Sequence, residues 1–316
     1  MKFIIMFKML IFSVLCTAVF AQADINSLPQ LPLVTAWKKG EAFQYELIKG
    51  KINYLDGKVD KKSESHEVVT LSVLEVHPKD FLIQAEYNSA AFLLPEDLKK
   101  MRGIDKIVEK YNHFKVKYSI SNTGEFLKLN NLSEIKQMLT DFFSLVGQAN
   151  QGTFSKTVLT NMKQQMTSEA YITEGVFQEL RLIHQFYGND YAPNTDQRYD
   201  TELANMLNPN GKPIPAQATL KVNFKENKYC QIEHTLTPDA KIMKQLTFDY
   251  FNKMSGGTLK MENTEGVSIV VKDTGKYYFH LRSGWLMEML KQRTTTYEDE
   301  KTLEYISMKL LDKGSF

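Results

Sequence analysis

Phe114, Val116, Tyr118 and Ile120 alternate with Lys115, Lys117 and Ser119. This period of two restricts the segment to a strand with one dry face and one wet face. The same alternation recurs along the chain. Phe43, Tyr45 and Leu47 alternate with Gln44 and Glu46, and Phe81, Ile83, Ala85 and Tyr87 with Gln84 and Glu86. Later, Leu220, Val222 and Phe224 alternate with Lys221, Asn223 and Lys225, and Cys230, Ile232, His234 and Leu236 with Gln231, Glu233 and Thr235. Half-wet strands of this kind belong to antiparallel sheets that cover a core on one side. Asp56-Gly57, Asn122-Thr123-Gly124, Asp273-Thr274-Gly275 and Ser283-Gly284 supply turn signals between such runs.

Helical spacing appears in the middle of the chain. Leu132, Ile135, Met138, Leu139, Phe142 and Val146 follow an Asn131 or Ser133 cap. Phe154, Val158, Met162 and Met166 recur every four residues, and Val176, Leu180, Ile183 and Tyr187 resume helical spacing, at steps of four and three, beyond a break at Gly175. Gly188 reads as a C-cap. A shorter helix is expected from Pro95 to about Lys110. Another is expected after Thr237-Pro238-Asp239, where a hydroxyl cap, a proline at N1 and an acid in the first turn coincide, and it ends at Gly256-Gly257. The end of the chain reads as a meander: Val267–Val271, Tyr277–Leu281, Trp285–Thr296 and Thr302–Leu310.

Strands, helices, strands, helix, strands is not the β-α alternation of a parallel sheet. The expected class is α+β, with one or more curved, half-barrel-like antiparallel sheets packed against a few helices. The expected division is a signal peptide over 1–23, an N-terminal sheet with a helical segment over 24–187, and a Pro/Asn-rich connection over 188–218. A C-terminal sheet with one helix follows over 219–316 and packs with the N-terminal part as one unit. The connection holds Pro193, Pro209, Pro213 and Pro215, with a strand expected near Tyr199–Met206. The Asn/Asp-Thr-Gly tripeptides at 122–124 and 273–275 raise the idea of an internal duplication.

Lys2 and Lys8 precede an apolar run from Met9 to Phe20, too short to span a bilayer. Val19, Ala21 and Ala23 allow cleavage after Ala21 or Ala23. A lipoprotein reading at Cys16 fails because Leu15 stands where a small residue is needed. The expectation is an exported protein, periplasmic or extracellular, without a transmembrane segment in the mature chain. The 39 Lys and Arg of the full chain fall to 37 without Lys2 and Lys8, against 37 Asp and Glu. A neutral chain lacking a basic cluster argues against a nucleic-acid partner. Only Cys230 remains after cleavage, so no intrachain disulfide is expected, as suits a bacterial envelope.

Catalytic patterns are missing from the sequence. The six histidines include no H-E-x-x-H, and Cys230 and His234 share a strand face with no further ligand nearby. A G-x-S-x-G elbow, a P-loop and a G-x-G-x-x-G are likewise absent. Glu96-Asp97 suits a helix's first turn. Glu298-Asp299-Glu300 sits in a hairpin turn. No catalytic, metal or cofactor-binding residue is assigned, and no cofactor is expected.

The apolar side chains are more suggestive: 19 Phe, 15 Tyr and 14 Met. Methionine fills irregular apolar space, and a curved sheet with helices laid on it can enclose a greasy cleft. Phe81, Ile83, Phe114, Val116, Trp285 and Met287 are the candidate lining, with core packing as the alternative role. Trp285, Met287 and Met289 are read as sharing one strand face.

The signal ending Phe20-Ala21-Gln22 resembles exports of Bacteroidota-type bacteria. The hairpin from Lys115 to Phe126, and Asn208-Pro209-Asn210-Gly211-Lys212-Pro213-Ile214-Pro215 before a strand, resemble segments of an uncharacterised family of secreted β-rich envelope proteins. The layout is similar to that of periplasmic lipoprotein-carrier-like half-barrels. The resemblance carries no catalytic residues. It implies a non-enzymatic envelope protein that binds a lipid or acyl chain between sheet and helices. The alternative is a structural or protein-interaction protein of the envelope with no small-molecule ligand.

Overall fold

The computed structural model describes residues 31–89, 104–149, 156–192, 194–203, 205, 211–226, 228–254 and 269–311. The expected signal peptide, Pro95, Glu96-Asp97, Phe154, Pro209-Asn210, Gly256-Gly257 and Val267 lie outside them.

A short strand β1 (Leu31–Pro32) leads into the long pair β2 (Ala42–Leu55) and β3 (Lys58–Val76), then β4 (Asp80–Tyr87). Helix α1 (Ile104–Lys110) precedes β5 (Phe114–Ser121) and β6 (Phe126–Leu129). The helical middle comprises α2 (Leu132–Ala149), α3 (Lys156–Met166), the single turn α4 (Glu169–Tyr171), a π-helical turn at Ile172–Val176, and α5 (Gln178–His184). Next come β7 (Asp190–Tyr191), β8 (Thr195–Leu203), β9 (Ile214–Lys225) and β10 (Tyr229–Pro238). Helix α6 (Ala240–Met254) and the strands β11 (Ile269–His280), β12 (Leu286–Tyr297) and β13 (Glu300–Leu310) complete the chain. The residues read as a connection over 188–218 thus contribute β7, β8 and the start of β9.

β1 pairs with β7. The other strands form one open antiparallel sheet in the order β6-β5-β4-β3-β2-β13-β12-β11-β10-β9-β8. Strand accounts for 54% of the structure and helix for 24%, so sheet dominates and the helices are few. The order makes two meanders, one running outward from β2 and one returning inward to β13. The β2–β13 pairing is the seam between them.

The sheet is curled, and side-chain contacts require it. β5 and β10 lie seven places apart in the order, or about 34 Å in a flat sheet at about 4.8 Å per strand. Yet His184 Nε2 is 3.2 Å from the Tyr118 hydroxyl on β5, and the Phe186 ring centroid is 5.7 Å from that of His234 on β10. Two residues two positions apart reach both strands only if the sheet wraps around them. Tyr45, Leu47, Val69, Tyr87, Val116, Tyr118, Ile232, Tyr277 and Met308 face this inner side and are buried.

Several local expectations need correction. Asp273-Thr274-Gly275 is not a turn but the middle of β11, because Asp273 faces inward to an arginine and the Tyr277 ring covers Gly275. Asn122-Thr123-Gly124 is a turn, with Gly124 at φ +104. The two tripeptides therefore do different jobs and give no support to a duplication. The helix start after residue 236 also shifts. Pro238 ends β10 opposite Ala216, and the Asp239 carboxylate accepts the Ile242 N–H at 2.8 Å to cap α6. Gly175 falls within the π-helical turn, so the break there is one of helix type.

Candidate functional site

Three features of the inner face can be built from residues upward. The first fills the N-terminal half. Phe177, Leu180, Ile183, Phe186 and Tyr187 are all fully or almost fully buried. They pack against both meanders: Phe177 stacks on Phe114 at 5.9 Å, while Phe186 meets Tyr277 edge-on at 4.7 Å and Tyr187 meets Phe279 edge-on at 5.3 Å between centroids. Most polar groups within this plug find partners, although the buried Trp37 Nε1 has none among the described residues. Tyr87 donates to Glu179 Oε1 at 2.7 Å, and Lys49 pairs with Oε2 at 2.8 Å. Tyr187 donates to the Gly284 carbonyl. His184 Nδ1 lies 2.8 Å from the Gly124 carbonyl, and burial pushes its pKa down to about 3, so it is neutral.

The six residues singled out from sequence all belong to this part of the molecule. Phe81, Ile83, Phe114, Val116 and Trp285 are buried, and Met287 is half-buried against the same cluster. The chain itself covers several of them. Phe114 lies under Phe177, and Trp285 stacks on Trp37 with centroids 3.9 Å apart. Trp37 also meets Phe81 edge-on. Trp285, Met287 and Met289 do not continue one strand face. Trp285 precedes β12, and the register slips at Met287, where Tyr278 opposes Glu288 and Phe279 opposes Leu286.

The second feature is the cover of the C-terminal half. Leu203, Ile214, Ala216, Ala218 and Leu236 form a separate small cluster on β8, β9 and β10. Helix α6 lies over it through Ile242, Met243 and Leu246, spaced for a single stripe. Each of these, and Phe248, is only half-buried. Tyr250 is buried and ties the helix to α3 by donating to Gln165 Oε1 at 2.6 Å. The floor beneath α6 contains two alanines, whereas the sealed half is floored by tyrosines.

The third feature joins the two. Tyr199, Ala218, Leu236, Asp273, Arg293, Glu304, Lys51 and Ser63 are direct cross-strand neighbours from β8 to β3. Direct partners share a face. The middle of this row is an alternating acid–base ladder. Arg293 forks onto Asp273 with Nε and Nη2 each at 2.8 Å, and Lys51 reaches Glu304 at 2.9 Å across the seam. Lys291 approaches Asp273 at 3.5 Å. Asp273 is fully buried, and the side chains of Arg293, Lys51 and Glu304 are 10%, 10% and 15% exposed. One row further along, Thr295, Thr302 and Asn53 are neighbours, and Thr302 donates to Asn53 Oδ1 at 3.1 Å. The Thr295 hydroxyl is buried without a hydrogen-bond partner among the described residues.

Sequence reasoning missed this ladder. A signal for it exists: Lys49, Lys51 and Asn53 continue the inward phase of Tyr45 and Leu47, so β2 carries polar residues on its dry face. Cys230 and His234 share a face of β10 but stand four residues apart along it, about 13 Å at about 3.3 Å per residue, so the structure does not bring them together. Both are buried, the thiol pushed up to about 12 and the imidazole down to about 3 by burial first. Among the described residues no group of three or more His, Cys, Asp or Glu gathers to hold a metal. No described helix is long and apolar enough to cross a membrane. No protein-family model matches the chain, and no curated protein matches it in sequence.

Proposed function

We propose that the protein is an exported, non-enzymatic envelope protein of α+β, half-barrel-like architecture. It binds an apolar ligand such as a lipid or acyl chain between sheet and helices. The binding place is the C-terminal half of the inner face, beneath α6. One observation carries this reading: the apolar stripe of α6 is half-buried over a floor that includes two alanines, while the side chains that α5 turns inward are sealed. A helix seated this way gains more burial when a ligand slides beneath it, at about 25 cal/mol per Å² before ordering costs. The N-terminal plug then serves as scaffold, holding the curl of the sheet.

Native mass spectrometry of mature protein purified from a bacterial periplasm without detergent tests the proposal. The expected result is a reproducible extra mass that organic solvent strips off as lipid, or uptake of added palmitate. A clean mass with no uptake of fatty acid or phospholipid contradicts it. The sealed aromatic plug favours that alternative, a structural or protein-interaction role without a small ligand.

A further inference from the structure

The small apolar cluster under α6 and the ion ladder are one continuous surface. Leu236 is the direct cross-strand neighbour of Asp273, and Asp273 of Arg293. At about 4.8 Å per strand, Arg293 lies about 10 Å from Leu236 and about 14 Å from Ala218 along the row. A ligand tail resting on Ala218 and Leu236 therefore ends its path at the ladder. We infer that the ladder receives the anionic headgroup of an amphiphile whose tail lies under α6; this rests on the apolar reading of that site.

The charges and the hydroxyl argue for an anion. Of the five side chains of the ladder, Arg293, Lys291 and Lys51 are positive and Asp273 and Glu304 negative, so they sum to one positive charge in a mostly buried place. Largely desolvated cations in excess attract negative charge strongly. Thr295 stands two residues from Arg293 on the same strand face. The residue is 6% exposed, and its hydroxyl is buried and partnerless among the described residues. A buried hydroxyl in that condition is a donor awaiting an acceptor. Arg293 and Thr295 together present a guanidinium and a hydroxyl to one oxyanion, while Asp273 fixes the orientation of the guanidinium. Neutral lipids have no use for this arrangement. Carboxylate and phosphate heads both do.

The test compares three ligands of matched tail on the mature protein: palmitate, 1-hexadecanol and 1-palmitoyl lysophosphatidic acid. Calorimetry measures each against wild type, Thr295→Val and Lys291→Met. Both substitutions keep side-chain bulk and leave the Arg293–Asp273 pair intact, and thermal melts check that each variant folds. The expected result is that at least one anionic ligand binds wild type roughly tenfold or more tightly than hexadecanol. Both variants lose most of that preference while still binding hexadecanol. The tighter of palmitate and lysophosphatidic acid identifies the head as carboxylate or phosphate. Equal binding of all three ligands overturns the headgroup inference and leaves the apolar site standing. So does a preference that both folded variants retain. Binding of none overturns both.

Discussion

The two halves of the inner face are covered by helices of opposite character. α5 and the residues after it are pressed between tyrosines and phenylalanines from both meanders, and the side chains they turn inward are sealed. α6 rests on a floor that includes Ala216 and Ala218, and its stripe stays half-wet. Covering a sheet face and filling it are therefore separate acts. The plug uses large aromatic side chains to fix the curl. The second helix closes a smaller area at less cost to open, as expected of elements that admit ligands.

The sharpest way to break this comparison is to remove bulk from each helix in turn. Phe186→Ala is expected to cost about 3–5 kcal/mol in urea unfolding, because the ring is fully buried against Tyr277. A loss under about 1 kcal/mol would mean that the plug is not the keystone. Glu179→Gln follows, at about 2–3 kcal/mol, since Lys49 is left largely buried without its carboxylate while Tyr87 keeps an acceptor.

Acid should then attack both halves. His184 and His234 are neutral in the fold, each with a pKa near 3, against about 6.5 when unfolded. The unfolded chain therefore binds more protons, and stability is lost as pH falls from about 6.5 toward 3. The expected slope is up to about 1.4 kcal/mol per pH unit for each histidine. Denaturant melts between pH 7 and 4 measure it, and a flat profile contradicts the neutral assignment. The smallest effect is expected from Met243→Ala, under about 1 kcal/mol for a half-buried side chain, together with weakened lipid uptake. If Met243→Ala destabilises as much as Phe186→Ala, the two helices are not different in kind.

Strands were legible where alternation is clean, as in Phe114–Ile120 and Phe81–Tyr87, because each such pattern is local. Their joining was not, because the β2–β13 seam pairs residues such as Lys51 and Glu304 from opposite ends of the chain. The ladder was hidden for the same reason. Each of its members reads alone as a surface charge, and Asp273-Thr274-Gly275 imitates a turn. Only the long-range pairing with Arg293 shows why an aspartate lies within a strand. The aromatic residues singled out from sequence belong to the core cluster, yet hydrophobicity alone does not tell a side chain that meets its own helix from one that meets a ligand.

Hydrogen–deuterium exchange of the protein, with and without palmitate, addresses the contrast most directly. The expected result is fast exchange across Ala240–Met254 that slows when palmitate is present, with Gln178–His184 already protected and unchanged. Equal protection of both helices in the free protein, or a palmitate response confined to Gln178–His184, would contradict it.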